Sequence, residues 1–382
     1  MAEKQKPKLA TPKKPTSRKA IKVLRRRKAL HVGIDLAQSP WTGTLVRAMP
    51  ANVENHATHA DDATASLLQL HRPQFPTITP RAGPGPMNRM ARVMRGYDLV
   101  IVHGDQALPA TMAHTLFGQA VKAPPLAHFH DGVDEVPKGW WARFRHKLGM
   151  ARTPLVIVPT VAAAKSVTAD WQVPPSHVRI LPPIFPPAPK KPKPDAIPRL
   201  MKRAGEKWIA MRATDALALS DEVVSILTSL DDAWHLVVFG TEGQAAELRT
   251  VLDRVGHLAR LHVTARLHGP APVAGLFDLA VLDGRNGRVP PDMPALMAAG
   301  VPVIAPGPAG LAELLPPQNA DLRVDASSLG LIVERVEQLA TDEVRRSAAG
   351  AVNAEFAAAH ADPAPCLAAL SGMLGLASLE DR

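Results

Sequence analysis

The sequence predicts an α/β protein of two Rossmann-like, doubly wound domains with a cleft between them, and three observations carry that expectation. Short, mostly apolar runs alternate with helical patterns along most of the chain. The alternation occurs twice over similar lengths, and a proline-dense stretch separates the two occurrences. Apolar runs of this length, spaced by helices, suit a parallel sheet covered on both faces. At 382 residues, 46% of them hydrophobic, the chain is long enough for two full cores.

The elements follow in order. Residues 1–28 combine twelve Lys/Arg with one acid and no aromatic residue. Such a composition cannot offset the entropy of ordering, so this is expected to be a disordered basic arm, with residues 20–28 able to form a short basic helix against an acidic surface. The first domain is expected over 29–183, with strands at 29–35 (ALHVGID), 53–58, 97–103, 124–130, 154–159 and 178–182. Residues 81–90, RAGPGPMNRM, contain G-x-G without a preceding strand, and Pro84 and Pro86 remove donors a phosphate cradle needs; the stretch reads as a loop. Residues 184–206 carry proline too often for helix or inner strand and form the expected linker. The second domain, 207–355, repeats the pattern with strands at 207–211, 234–240, 259–265, 277–284, 301–306 and 321–326, and an alanine-rich helical segment closes the chain over 356–382.

Residues 292–315, DMPALMAAGVPVIAPGPAGLAELL, read as a helix ending at Gly300, a buried strand, and a turn through Gly307 and Gly310 into a new helix at Leu311. A unit of this kind presents backbone N–H groups to an anion. The preceding wording, GRVPPDMPALMAAGVPV from residue 287, resembles the donor-binding signature of GT-B glycosyltransferases, in particular retaining family 4, whose pattern is E-G-x-x-x-x-x-x-E-A-M-A-x-G-x-P-V. Both of its glutamates are replaced, by Gly287 and Ala295. The succession YDLVIVHG, AHFHDG, PLVIVPT and RILPPIF extends the resemblance over about residues 30 to 340.

The resemblance implies transfer of a sugar from a nucleotide-sugar, with nucleotide on the second domain and acceptor in the cleft. His130, ending the strand AHFH, would contact the reacting sugar. His128 shares its face and is equally suited to packing under a loop; His-x-His-Asp also admits a metal reading, which no further ligand at zinc-like spacing supports. Arg212 would neutralise the donor diphosphate, or else form an ion pair across the cleft; the family's lysine is here Leu217. Glu313 stands at the glutamate of the G-G-x-x-E phrase and would position nucleotide or sugar. Asp283 reaches the carboxyl end of its strand but also forms an Asp-Gly turn pair, and both roles stay open. Asp292 fits the N-cap of the helix after it. Gly43, in SPWTGTLVRAM, lies where the fold places a loop facing the cleft, although a plain turn accounts for it as well. No metal is required by this scheme and no cofactor beyond the nucleotide-sugar co-substrate.

Charge and composition bound the partners. The formal charge of +10 resides in the arm, since the rest of the chain has thirty-three basic against thirty-four acidic residues. With no aromatic residue in the arm and a neutral body, nucleic acid is a poor match, whereas anionic lipid fits, each Lys or Arg near such a surface contributing about 1 kcal/mol. A merely solvated tail is the other reading. The single Cys366 forms no intrachain disulfide and suits the cytosol; no apolar run is long enough to span a bilayer. The expected protein is therefore a cytoplasmic, peripherally membrane-associated glycosyltransferase acting on a cell-envelope or lipid-linked acceptor. The alternative is a GT-B binding or scaffold protein that has lost the chemistry, as Gly287, Ala295 and Leu217 suggest.

Overall fold

The computed structural model describes residues 26–58, 60–79, 82–133, 139–264, 267 and 269–375. Two six-stranded parallel sheets stand where two were expected. The first comprises β1 (Arg27–Val32), β2 (Val53–Thr58), β3 (Leu99–His103), β4 (Leu126–Phe129), β5 (Leu155–Val158) and β6 (Val178–Ile180), in the order β2-β1-β3-β4-β5-β6. The second comprises β7 (Lys207–Arg212), β8 (Trp234–Phe239), β9 (Leu261–Thr264), β10 (Leu279–Val281), β11 (Val303–Gly307) and β12 (Arg323–Asp325), in the order β12-β11-β10-β7-β8-β9. Every strand overlaps an expected one, because strands buried on both faces are written as apolar runs that need no long-range information to read. The strand order reverses between β1 and β3 and between β7 and β10, which opens a crevice at the carboxyl ends of each pair.

The core is divided by the sheets. On one face of the first sheet Leu30, Val100, Val102, Met90, Met94 and Met150 pack together. On the other, Ala29, Leu99 and Ile157 meet Cys366, Leu367 and Leu370 of the helix Ala364–Leu374, so the end of the chain returns to the sheet where it began. The two crossings touch: Phe185 N donates to His360 O at 3.1 Å, and the Phe185 and Phe356 rings meet edge-on. The proline-rich stretch is packed rather than free, with Phe185 and Ile197 buried in the second core. Among the described residues no helix is long and apolar enough to cross a membrane.

Three expectations change. Arg27 and Lys28 belong to β1, paired with Val53 and Glu54, so they are neither arm nor basic helix; residues 1–25 of the arm lie outside the described residues. Residues 84–90 are not loop but the start of the helix Pro84–Met94. The two prolines, which removed donors a phosphate cradle would need, sit in its first turn, where missing N–H groups have no intrahelical partner in any case. The division expected between 355 and 356 falls inside the helix Glu343–Ala359. That helix lies against the turn at Gly300, and a side chain at Gly350 would collide with the Gly300 carbonyl, so glycine is required there.

Candidate functional site at the interdomain cleft

The carboxyl ends of the two sheets face each other, and short contacts span them. Val133 N donates to Gly287 O at 2.8 Å and Val289 N to Asp131 O at 3.3 Å, a small antiparallel bridge between the loop after β4 and the loop after β10. The Val133 side chain is fully buried among Val289, Met293 and Leu311 of the second half. Glu313 accepts from Val161 N at 2.6 Å and Ala162 N at 3.0 Å, and so caps the helix Val161–Asp170 of the first half. Arg212 Nη2 donates to Ala37 O at 3.4 Å.

On the first side, one carboxylate gathers three histidines. Asp105 follows β3 directly after Gly104, whose φ of +72° lets the chain turn there. Its Oδ1 accepts from His130 Nδ1 at 2.9 Å and lies 3.6 Å from His128 Nε2; its Oδ2 accepts from His146 Nε2 at 3.3 Å. His128 also contacts the Thr111 hydroxyl at 2.9 Å. Burial alone would raise the Asp105 pKa, but the His130 charge and the histidine hydrogen bonds outweigh it and hold the carboxyl well below its ordinary range. Burial opposes charge on His130 too, yet Asp105, with help from Asp131, lifts its pKa above the usual imidazole value. For His128 burial wins and the pKa falls. The result is a His130–Asp105 ion pair beside a neutral His128. Gly132 is what lets His130 sit there, since a Cβ at 132 would lie 2.5 Å from His130 Nε2.

A narrow recess of about 40 Å³ adjoins His130 and is lined mainly by apolar groups, among them Trp41, Phe129, Pro182 and Ile184. Ser39, Thr42 and Asp131 supply polar edges. The ligand atoms of Asp105, His130 and Asp131 lie within 4.8 Å of one another, the spacing of a metal cluster. Both Asp105 oxygens are already used by histidines, and Arg288 Nε stands 3.7 Å from Asp131, so the group is balanced by its own charges.

The second side is built from arginine–aspartate pairs. Arg212, at the end of β7, makes a two-pronged pair with Asp292, Nε to Oδ2 at 2.5 Å and Nη2 to Oδ1 at 3.0 Å. Its ion pair is therefore formed within its own half, and only the bond to Ala37 crosses the cleft. Asp292 makes no N-cap bond, contrary to its expected role. Asp283 is engaged by Arg285 at 2.8 and 2.9 Å rather than facing open space. Near Leu217, where the family lysine would stand, the structure has Asp215, whose pKa is pushed up to about 6 by burial, against the hydrogen bonds it accepts from Asp283 N and Thr214.

The glycine loop departs most from expectation. Gly307 ends β11, where a side chain would strike the Gly284 carbonyl and Leu311, so its smallness serves packing. Residues Ala309–Leu314, with buried Gly310, form only a six-residue 3₁₀ helix entered from Pro308, not an α-helix aimed at an anion. Glu313 is committed to the opposite half. Gly43 lies within the helix Trp41–Ala48, next to Leu36, while Trp41, Thr42 and Leu45 line the recess in its place. Asp105, His146, Arg288 and Asp215 were missed. Gly-Asp at the end of β3 was a readable signal for Asp105; His146, reaching in from the helix Trp140–Met150, left none.

No family model and no curated protein matches the chain. Among solved structures it is similar to Anabaena HepE in complex with UDP and glucose, at 15% identity and a TM-score of 0.70 over 91% of this chain and 99% of that one. It is also similar to sucrose-phosphate synthase from Thermosynechococcus elongatus, at 14% identity and a TM-score of 0.65 over 92% and 98%. A putative UDP-N-acetylglucosamine 2-epimerase from Listeria monocytogenes gives 14% and 0.61 over 91% and 96%. The chain has the GT-B fold. A transferase and a putative epimerase both stand among its likenesses, so the reaction has to be argued from the site.

Proposed function

We propose that the protein transfers a sugar from a nucleotide-sugar to an acceptor held in the recess of the first half. The observation that carries this reading is the buried His130–Asp105 ion pair, set at one sheet's carboxyl end across the cleft from Arg212 and Arg288. The His130 imidazolium would donate to the reacting sugar, with Asp105 keeping it charged and oriented. The departing diphosphate would be stabilised by Arg212 and Arg288, each exchanging an aspartate partner for phosphate oxygens. In this scheme fixed cations take the part of a metal, and the nucleotide-sugar is the only co-substrate. That HepE was solved with UDP in the same fold supports the class of donor. Retention at the anomeric carbon and a lipid-linked or envelope acceptor complete the reading, with the basic residues that precede β1 holding the protein to an anionic cytoplasmic surface.

A second reading, a GT-B binding or scaffold protein without activity, rests on a specific observation: Gly287 spends its carbonyl on Val133, and Glu313 and Arg212 already have protein partners. Thermal unfolding with UDP, GDP, ADP, CDP and their sugars separates the two. A bound nucleotide at one hundred times its Kd stabilises by about 2.7 kcal/mol. One of them is expected to raise Tm and its sugar to be hydrolysed or transferred; no shift with any of them removes the transferase reading.

A further inference from the structure

The helix Trp140–Met150 has two faces with different tasks. Its inner face packs against the helix Leu108–Val121 and carries His146 to Asp105. Its outer face holds Trp140, 74% exposed, Trp141, 56% exposed, and Phe144, 47% exposed. At 100° per residue these three and the exposed Lys147 share one side, flanked by exposed Arg143. Aromatic groups of this size are seldom left in water together without a partner.

We infer that this face docks on an anionic lipid surface and seats the mouth of the cleft against it. Charge supports that occupant. From Gly139 to Ala169 the sequence has Arg143, Arg145, Lys147, Arg152 and Lys165 and no acid, and the helix packed alongside has no charged residue and exposes Leu116. Trp at the headgroup level with Lys and Arg beside it is the composition of an interfacial helix. The geometry disfavours other occupants. The Trp141 and Phe144 rings stack on each other at 5.6 Å and Trp140 meets Trp141 edge-on at 5.2 Å, a convex ridge rather than separate platforms for bases. A two-fold contact through this face would bring Arg143 and Lys147 of both copies into one interface, with no acid between Gly139 and Ala169 to answer them. The helix that bears the ridge also carries His146 to Asp105, next to His130 at the recess, so a membrane-bound acceptor would arrive near it. This surface does not depend on glycosyl transfer, and a chain that binds no nucleotide would still dock.

The full chain, with its arm intact in every variant, is mixed with vesicles of phosphatidylcholine alone or with phosphatidylglycerol. Of the six Trp residues, Trp171, Trp208 and Trp234 are buried and Trp41 is partly buried, so a blue shift in emission reports Trp140 and Trp141. Sedimentation with the mixed vesicles and a blue shift are expected. Replacing Trp140, Trp141 and Phe144 by Ser should abolish the shift and weaken binding by about tenfold or more. The pair Arg143→Glu and Lys147→Glu, with both Trp residues present and circular dichroism unchanged, should weaken binding similarly. Vesicle binding without a blue shift, or equal for all variants, would overturn the inference, as would a patch whose loss affects only dimerisation or RNA binding.

Discussion

The two facing ends of the sheets handle buried charge in opposite ways. In the first, a single carboxylate, Asp105, draws on three histidines, and its ionised form is favoured despite burial. In the second, Asp292, Asp283 and Asp215 crowd around Arg212 and Arg285, and burial pushes the pKa of Asp292 and Asp215 upward. One end holds a carboxylate whose ionised form the fold favours; the other holds two, Asp292 and Asp215, whose ionised form burial opposes. The difference assigns the ends different capacities. The histidine end is preorganised and needs no rearrangement to present a proton donor, while the arginine end must give up an aspartate before it binds an anion.

Removing a carboxylate should therefore have opposite effects at the two ends. Asp105→Asn leaves buried His130 without its counter-charge and is expected to destabilise the protein by about 3 kcal/mol in urea unfolding near pH 6. The pH dependence has a definite sign. His130, raised in the fold, contributes stability that is full below its unfolded pKa and lost as pH rises through the folded value. Asp105, depressed in the fold, contributes stability that is present above its unfolded pKa and lost on acidification. The gap between wild type and Asp105→Asn should thus be widest between about pH 4 and 6.5, the two unfolded values. An equal gap at pH 9 would show that no ion pair is involved.

Asp215→Asn should do the reverse. With a folded pKa of about 6, above the unfolded 3.8, Asp215 costs stability progressively as pH rises between those values. The amide can still accept from Asp283 N, so a gain of about 2 kcal/mol is expected at pH 7, vanishing at pH 3. A loss at pH 7 would contradict the comparison. Next in size, Gly132→Ala should cost about 1–2 kcal/mol and lower the His130 pKa, read by NMR titration, because the new Cβ displaces the ring from Asp105. The smallest effect is expected at Glu313→Gln, where an exposed cap weakens by about 0.5 kcal/mol. Its readout is a larger radius of gyration in solution scattering as the halves separate, and an unchanged radius would mean that the other crossings, Val133–Gly287, Val289–Asp131 and Arg212–Ala37 among them, hold them.

Much of the fold was legible in the sequence, and the site was legible by address rather than by partner. His130, Arg212 and Asp283 follow or end the strands β4, β7 and β10, as read from the apolar runs, and Glu313 lies just beyond β11. Their partners were not readable, because Arg212 and Asp292 are eighty positions apart and Glu313 reaches back to Val161. Local rules also misled where context overrode them. The stretch at Pro84 read as a loop and opens a helix, and Gly307 looked like part of an anion-binding turn and relieves a clash with Gly284.

By itself, then, the sequence determined the two parallel sheets, the proline-dense crossing between them and the sites facing each other at their carboxyl ends. Burial and chain punctuation act over a few residues and are written locally. Only the tertiary structure decided which charges are free, which are spent, and that one face of the helix Trp140–Met150 serves Asp105 while the other is bare. Those outcomes depend on pairings between distant strands, where desolvation and Coulomb attraction are set by distances that no stretch of sequence contains.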